Sequence, residues 1–279
     1  PEVKDNIFEF GVTSKNITDK SIPIHAMIGD QQSAAIGQNC FNPGDIKATF
    51  GTGCFILLNT GKKPLKSNNK LLSTIAYKIN NITSYALEGS IFVSGSTMKW
   101  LRDELGIIQN INDSEYLAAS IKDNNGVYFV PAFTGLGAPH WKPDARGTIA
   151  GLTSSSGKAE IVRAALEAVA YQSVDLFDAM AADGQKTKIV RVDGAMSAND
   201  WLLQFLSSIS NTRIERADNT ETTSQGAAIL ASIGSGLYSS IEETKKFWKL
   251  NKSFIPEMKA KEIENYRNGW NKAIKRTIL

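Results

Sequence analysis

The chain has 279 residues, of which 42% are hydrophobic and 21% charged, and its formal net charge is only +3. Such a composition is typical of a soluble globular protein with one large domain or two modest ones. The lysine-rich stretch at 62–70 also contains Asn, Ser and Gly, which favours a solvated loop over a nucleic-acid surface. No apolar run approaches the roughly 20 residues of a membrane span. Neither nucleic acid nor a membrane is therefore an expected partner.

The two cysteines and the start of the chain bear on its context. Cys40 and Cys54 lie in apolar, strand-like surroundings without a partner at metal-binding spacing. Neither a disulfide framework nor a zinc site is expected, and a reducing, cytoplasmic compartment is predicted. The chain opens at Pro1 in polar sequence that forms no complete unit, which predicts a fragment of a longer protein.

The first half of the chain is predicted to be rich in strands. A short helix at 29–40 comes first. The strands that follow, separated by tight turns, are predicted at 46–50, 54–59, 72–79 and 82–87. Gly51-Thr52-Gly53 turns the first of them into the second. Strands linked in this way predict an antiparallel-rich sheet edge.

The second half alternates helices and strands. Its predicted elements are a helix at 97–105, a strand at 127–130, a long helix at 159–182, a strand at 189–192, a helix at 198–208, a strand at 213–216, a helix from 222 and a surface helix at 257–278. In the long helix apolar residues recur at helical spacing, so one face must be buried. Thr222 and Gln225 have the spacing of a capping box. The whole pattern predicts a layered α/β domain.

A few residues could carry chemistry on local grounds. Asp30 follows an apolar, strand-like lead-in that we expect to be buried, so it would lie between that strand and a helix, at a strand's end, where α/β sites usually lie. The equal alternative is that Asp30 merely caps the helix. The turns at 51–53 and 193–195 could offer backbone amides to an anion, although each signal is weak alone. His25 and His140 have no carboxylate or cysteine partner at useful spacing, which favours a core or surface role over catalysis for both.

In combination these segments are far more specific. The chain resembles the C-terminal half of the glycerol kinases, in the FGGY carbohydrate kinase family, on six segments in order: GDQQSAAIGQ, FGTGCFILLNTG, ALEGSIF, VYFVPAFTGLGAPHWKPDARG, VDGAMSANDWLLQF and ETTSQGAAILA. The resemblance implies an α/β fold of the actin-like, ribonuclease-H-like ATPase type, a layered mixed sheet flanked by helices. Residues 1–40 would be the end of the N-terminal FGGY domain and the hinge, and 41–279 the C-terminal, nucleotide-binding domain.

The resemblance also implies a reaction, the ATP-dependent phosphorylation of glycerol to glycerol 3-phosphate. Asp30 would be the general base, and it would bind glycerol together with Gln31 and Phe55. The positions that match the family's nucleotide site are Thr52, Gly95, Lys99, Ala195 and Asn199. Mg²⁺ would be held largely by the phosphates of ATP and by water, so no dedicated protein cage is expected.

Four positions depart from the family's pattern: His140 and Lys142 in the Pro-rich loop, and Ala195 and Lys99 near the nucleotide. Ala195 stands where a second glycine is usual, and its methyl group would be tolerated if the backbone φ is negative; Lys99 stands where glutamine is common. The N-terminal half is an expected partner, because in the family it supplies much of the reacting geometry, and the chain alone is predicted to have negligible activity. A homo-oligomer is expected as well. The alternatives are another FGGY sugar kinase, or a non-catalytic fragment that binds nucleotide or dimerises.

Overall fold

The computed structural model describes residues 2–184 and 187–279. Its strands, in chain order, are β1 (Ile7–Val12), β2 (Pro23–Ala26), β3 (Ile46–Phe50), β4 (Cys54–Gly61), β5 (Leu72–Ile79), β6 (Ile82–Ile91), β7 (Tyr128–Val130), β8 (Thr148–Ala150), β9 (Ile189–Asp193), β10 (Arg213–Ala217) and β11 (Leu250–Phe254). Its helices are α1 (Asp30–Gly37), α2 (Gly95–Asp103), α3 (Asp113–Ala119), α4 (Lys158–Ala182), α5 (Asp200–Ser210), α6 (Thr222–Gly234), α7 (Ile241–Thr244) and α8 (Ala260–Thr277). Short 3₁₀ turns lie at Ala195–Ala198 and Lys245–Phe247.

A seven-stranded mixed sheet forms the centre of the molecule. Its strand order is β11-β10-β9-β3-β4-β6-β5. The strands β3, β4, β6 and β5 pair antiparallel, which confirms the predicted antiparallel edge. Beyond β3 the sheet changes character, because β9 pairs parallel with both β3 and β10. Parallel neighbours need a crossover connection, and the helices between these strands supply it.

Helices cover both faces of this sheet, so its inner strands are buried on both sides. One face packs against α4 and α5 in the main hydrophobic core, and the other packs against α1. In β3 the side chains alternate accordingly: Ile46, Ala48 and Phe50 belong to the main core. Lys47 and Thr49 point to the opposite face, where α1 lies.

The first two strands form a separate hairpin beside α6. β1 and β2 pair antiparallel, and the chain then passes through Ile28 into α1. The expectation that a buried strand leads into Asp30 is wrong, because Ile22, Ile24 and Met27 are 51%, 39% and 61% exposed. An apolar run indicates burial only where another surface covers it.

Two further features differ from the sequence expectation or add to it. The prediction of a capping box at Thr222 is wrong. Glu221 is the N-cap residue of α6 and makes no side-chain cap bond. The Thr222 hydroxyl instead donates to Asp193 Oδ2 at 2.6 Å. Trp270, in the C-terminal helix α8, is buried and packs in the main hydrophobic core. Within the described ranges, no helix is long and apolar enough to cross a bilayer.

Candidate active site

Asp30 is the first residue of α1 and its carboxylate is exposed to solvent. Gly29 occupies the N-cap position, so Asp30 is not the cap residue. Its Oδ1 accepts the Gln31 N–H at 2.8 Å, and the Gln31 side-chain Nε2 lies 3.4 Å from its Oδ2. The positive end of the helix dipole stabilises negative charge at this position. The structure therefore presents an ionisable, accessible carboxylate held by its neighbour.

The position of α1 depends on close backbone contact with α6. A Cβ atom on Gly37 would lie 2.1 Å from the Thr222 carbonyl oxygen, and one on Gly226 would lie 1.9 Å from that of Ser33. The Ser33 hydroxyl also donates to the Thr223 carbonyl at 2.6 Å. Only glycine permits such an approach of two helices. These contacts fix the helix that carries Asp30 against the rest of the molecule.

Below the start of α1 lies a polar stretch of the sheet face. Lys47 is fully buried, with 0% of its side chain exposed, and its Nζ donates to Gln31 Oε1, to Thr49 Oγ1 at 3.0 Å and to the Phe55 carbonyl at 3.4 Å. Of the three residues predicted to contact glycerol, Lys47 therefore contacts Gln31 and the Phe55 backbone, and Gln31 in turn contacts Asp30. Sequence reasoning missed Lys47, for which the one signal is a charge inside the apolar strand IKATF.

The charges near this ammonium group shape its electrostatics. Burial lowers the pKa of Lys47, and the negative charge of Asp193 opposes that shift. Burial raises the pKa of Glu88, on strand β6; the Lys47 charge opposes this shift and the Asp30 charge adds to it. Asp193 and Glu88 therefore interact with the Lys47 charge at longer range, and among the described residues neither forms an ion pair with it.

Asp193 ends strand β9 and is buried. Its Oδ2 accepts from Gln38 Nε2 at 2.7 Å and from the Thr222 hydroxyl at 2.6 Å, so the residue that caps the end of α1 and the first residue of α6 both hold it. Gly194 follows with φ of 86°, and a Cβ there would lie 2.5 Å from the Phe50 carbonyl oxygen. Ala195 then begins a 3₁₀ turn, a conformation with negative φ, so the backbone condition for tolerating its methyl group is met.

A cavity of about 530 Å³ lies on the other side of the Gly-Thr-Gly turn. All five residues predicted for the nucleotide site line it: Thr52, Gly95, Lys99, Ala195 and Asn199. The turn is fixed to α2, since the N–H of Gly95 donates to the Gly51 carbonyl at 3.0 Å and that of Ser94 to the Thr52 carbonyl at 2.9 Å. Thr52 is thereby held at the mouth of the cavity.

The opposite wall of the cavity is built by the start of α5. Asn199 is its N-cap residue, and its Oδ1 accepts the Leu202 N–H at 2.8 Å. Glu115, from α3, accepts the N–H groups of Asp200 and Trp201 at 3.1 and 3.2 Å. Sequence reasoning missed Glu115, because α3 has seven residues and shows no clear helical periodicity. Asn199 thus has a structural role as a cap in addition to lining the cavity.

One histidine has a partner that sequence spacing did not reveal. His140 Nε2 lies 3.0 Å from Asp175 Oδ2, which also accepts from Trp270 Nε1 at 2.9 Å. The expectation that His140 lacks a carboxylate partner is therefore wrong, since the partner lies 35 residues along the chain in α4. The contact ties the Pro-rich loop to α4 and α8, away from the residues that line the cavity.

Comparison with known proteins assigns the chain to one family. The family model for the C-terminal domain of the FGGY family of carbohydrate kinases matches residues 46–235. The chain belongs to the FGGY family of carbohydrate kinases. Over 278 residues it is 52% identical to the glycerol kinase of Coxiella burnetii (strain RSA 493 / Nine Mile phase I), covering 100% of this chain and 56% of that protein. The glycerol kinase of Gluconobacter oxydans is 52% identical over 279 residues, with 54% of it covered. The chain spans about half the length of these relatives.

Solved structures agree with this assignment. The crystal structure of Plasmodium falciparum glycerol kinase with ADP superposes with a TM-score of 0.93 at 40% identity, over 100% of this chain and 56% of that one. The ligand-bound xylulose kinase of Lactobacillus acidophilus, at 23% identity, gives 0.77 over 92% of this chain and 51% of that one. The predicted actin-like, ribonuclease-H-like fold is thereby confirmed.

Proposed function

We propose that the chain is the C-terminal half of an ATP-dependent glycerol kinase, which converts glycerol and ATP into glycerol 3-phosphate and ADP. The observation that carries this proposal is that one hairpin contributes residues to both the nucleotide cavity and the predicted glycerol site. The β3–β4 hairpin carries Thr52 at its turn, in the wall of the cavity, and Phe55 beyond the turn, on the side of Asp30 and Gln31. A nucleotide in the cavity would point its phosphates past Thr52 towards the acceptor. The ADP-bound relative supports the choice of nucleotide.

In the proposed reaction Asp30 is the general base. Its carboxylate takes the proton of the glycerol hydroxyl as that oxygen bonds to the γ-phosphorus of ATP, and the bond to the β,γ-bridging oxygen breaks to release ADP. Gln31 and the ring of Phe55, which is 37% exposed, orient the glycerol carbon chain. Thr52 and Lys99 face the nucleotide. Each group acts mainly by position, which is what phosphoryl transfer requires.

Mg²⁺ would accompany ATP and neutralise charge on its phosphates when bound. Across the described ranges, no three His, Cys, Asp or Glu side chains gather in a metal-binding group. That Mg²⁺ is held largely by phosphate oxygens and water stays a prediction. In the proposed reaction Thr52 of this chain helps to place those phosphates.

The proposed partner is an N-terminal half of the kind the relatives possess. Its support is a set of exposed apolar side chains in and next to the β1–β2 hairpin, which precedes Asp30: Phe8, Ile22, Ile24 and Met27. On this view residues 1–40 are the end of the N-terminal domain and the hinge, and 41–279 the nucleotide-binding domain. A homo-oligomeric state and a cytoplasmic location stay predictions.

The test is glycerol-dependent release of ADP from Mg-ATP. It compares this chain alone with a chimera that carries the N-terminal half of the Coxiella burnetii glycerol kinase in front of it. We expect turnover by the chimera alone. Asp30→Asn should lower its kcat about 100- to 10,000-fold, the usual contribution of a general base. The exposed Asp144 provides the matched control, since Asp144→Asn removes one carboxylate in the Pro-rich loop and should leave kcat unchanged.

The other outcomes identify the alternatives. Turnover with a pentulose, hexulose or gluconate but not with glycerol would make the chain part of another sugar kinase. ATP binding without turnover on any acceptor would favour the non-catalytic fragment. Full activity of the chain alone would contradict the need for an N-terminal half.

A further inference from the structure

We propose that Lys47 is a positioning residue, which fixes the side-chain amide of Gln31 so that its NH₂ group faces the catalytic carboxylate of Asp30. The inference rests on the proposed function, because it assigns Lys47 a task in the same reaction. Its basis is the hydrogen-bond chain from Lys47 Nζ to Gln31 Oε1, and from Gln31 Nε2 to Asp30 Oδ2 at 3.4 Å.

The chemistry of the ammonium group dictates the orientation of the amide. An amide side chain has one acceptor end and one donor end of nearly equal size, whereas an ammonium group can only donate. Gln31 must therefore turn its Oε1 towards Lys47, and its Nε2 then faces Asp30. With the amide reversed, two oxygens would face each other at Asp30 and two donors would face each other at Lys47.

The surroundings of Lys47 show that it is dedicated to this role. An ammonium group has three N–H donors, and the three acceptors present are neutral: Gln31 Oε1, Thr49 Oγ1 and the Phe55 carbonyl. In the part of the chain that the structure describes, no Asp or Glu oxygen lies within 4.0 Å of its Nζ. A buried charge without an ion partner costs stability. Such a cost is expected at functional sites, where position matters more than stability.

The same ammonium group connects the two parts of the glycerol site. It donates to the Gln31 amide of α1 and to the backbone carbonyl of Phe55 in β4, so it joins the helix that carries Asp30 to the strand that carries Phe55. The cavity for the nucleotide lies beyond the Gly51–Gly53 turn and does not include Lys47. Loss of Lys47 should therefore lower kcat and leave the KM for ATP nearly unchanged.

A double-mutant cycle in the active chimera tests the proposal. Lys47→Met and Gln31→Ala should each lower kcat with glycerol about 10- to 100-fold, as misplacement of a reacting group does. If Lys47 acts through Gln31, the double variant should be no slower than Gln31→Ala alone. Lys78→Met removes a lysine of strand β5 that pairs with Asp5, and it should leave kcat unchanged. Asp30→Asn in the same series checks the proposed reaction itself.

Two results would overturn the inference: kcat effects of the two single substitutions that multiply in the double variant, or a Lys47→Met variant with wild-type kcat. If the wild-type chimera is inactive, the proposed function fails, and a spectroscopic arm decides on Lys47. In the ¹⁵N spectrum of the chain alone, the side-chain NH₂ signals of Gln31 are identified by their loss in Gln31→Ala. They should shift and broaden in Lys47→Met and not in Lys78→Met; unchanged signals would show that Lys47 does not hold the amide.

Discussion

Two buried cations lie on opposite faces of the main sheet and are compensated in different ways. Arg163, in α4, donates from Nε to Glu167 Oε1 at 2.8 Å, one turn along the same helix. Lys47, on the α1 face, has the three neutral acceptors described above and no ion partner among the described residues. Both side chains are almost completely removed from water.

The difference separates a structural charge from a functional one. Further hydrogen bonds occupy the polar atoms of the Arg163–Glu167 pair. Asn124 and Tyr171 donate to Glu167 Oε2 at 2.7 and 3.2 Å, and Arg163 donates to the Ile121 carbonyl at 2.5 Å. It joins α4 to the segment before β7. Lys47 instead holds a side chain next to an exposed carboxylate. A buried charge thus indicates function when the side chains it hydrogen-bonds also contact candidate catalytic residues.

The largest expected effect follows from breaking the structural pair. Arg163→Met leaves the Glu167 carboxylate buried without its cation, so the free energy of unfolding at about pH 8 should fall by about 3–5 kcal/mol. Urea denaturation of the chain measures it. The double variant Arg163→Met with Glu167→Leu removes both charges and should recover most of the loss. An unchanged urea midpoint for the single variant would show that the pair does not need its cation.

The pH dependence of stability gives a second test of the same pair. Burial raises the pKa of Glu167 from 4.5 to about 7, and the hydrogen bond and charge of Arg163 oppose that shift. Between these two values the folded state binds more protons than the unfolded state, so stability should fall as the pH rises from 4.5 to 7 and level off above. A tenfold difference in proton affinity between the two states corresponds to about 1.4 kcal/mol of stability.

Glu167→Gln is the matched control for this pH dependence, because it keeps the shape and the acceptor of the side chain but does not titrate. The quantity to follow is the difference in free energy of unfolding between the wild type and this variant, measured by urea denaturation across that pH range. A difference that stays constant would mean that Glu167 is ionised throughout.

The third effect tests how the helix of Asp30 is held. Gly226→Ala would bring a methyl group against the Ser33 carbonyl, 1.9 Å away, so α1 and α6 must move apart. We expect a loss of about 1–3 kcal/mol in stability, as for other overpacked sites. Thermal unfolding measures it. Ala227→Ser, on the exposed face of the same helix, also adds one heavy atom and should change stability little.

These glycines illustrate which parts of the molecule the sequence could not predict. The strands at 46–50 and 72–79 coincide with β3 and β5, since each is a run of strand-forming residues between turn residues. The contacts of Gly37 with Thr222 and of Gly226 with Ser33 join residues that are 185 and 193 positions apart, and no local pattern records them. The strands β8 (TIA) and β11 (LNKSF) are as short as β7 and β3, but most of their residues are partly or fully exposed, so neither shows an apolar run in the sequence.

The residues of the candidate site likewise fall into those that the sequence could predict and those that it could not. The family resemblance supplied residues that the structure collects in one cavity, because the motif carries their spacing. The residues that it did not supply are those whose partners lie on other elements: Lys47 reaches α1 and β4, and Glu115 reaches α5. Their roles depend on how helices pack on the sheet, which follows from the tertiary fold and not from the local sequence.

A smaller expected effect on stability comes from replacing Lys47, and it allows the two buried cations to be compared directly. Lys47→Met should lower the free energy of unfolding less than Arg163→Met does, because it leaves neutral acceptors unsatisfied rather than an unpaired charge. Urea denaturation of both variants at the same pH gives the difference. Lys47→Met must meanwhile lower kcat in the chimera, while Arg163→Met, measured well below its unfolding temperature, should not. The reverse pattern would make Lys47 the structural charge.

The smallest expected effect concerns Ala195, which bears on whether the nucleotide site works at all. Because Ala195 lies in a 3₁₀ turn and lines the cavity, its methyl group should need no backbone strain. Ala195→Gly in the chimera should therefore change the KM for ATP by less than about 3-fold, and cost about 0.5–1 kcal/mol of stability through added backbone freedom. A KM for ATP that falls more than about 10-fold, equivalent to roughly 1.4 kcal/mol of binding, would show that the methyl group obstructs the phosphates. That result would favour a nucleotide site that has lost function, whereas an unchanged KM leaves the site competent and makes Asp30, Gln31 and Lys47 the residues that decide turnover.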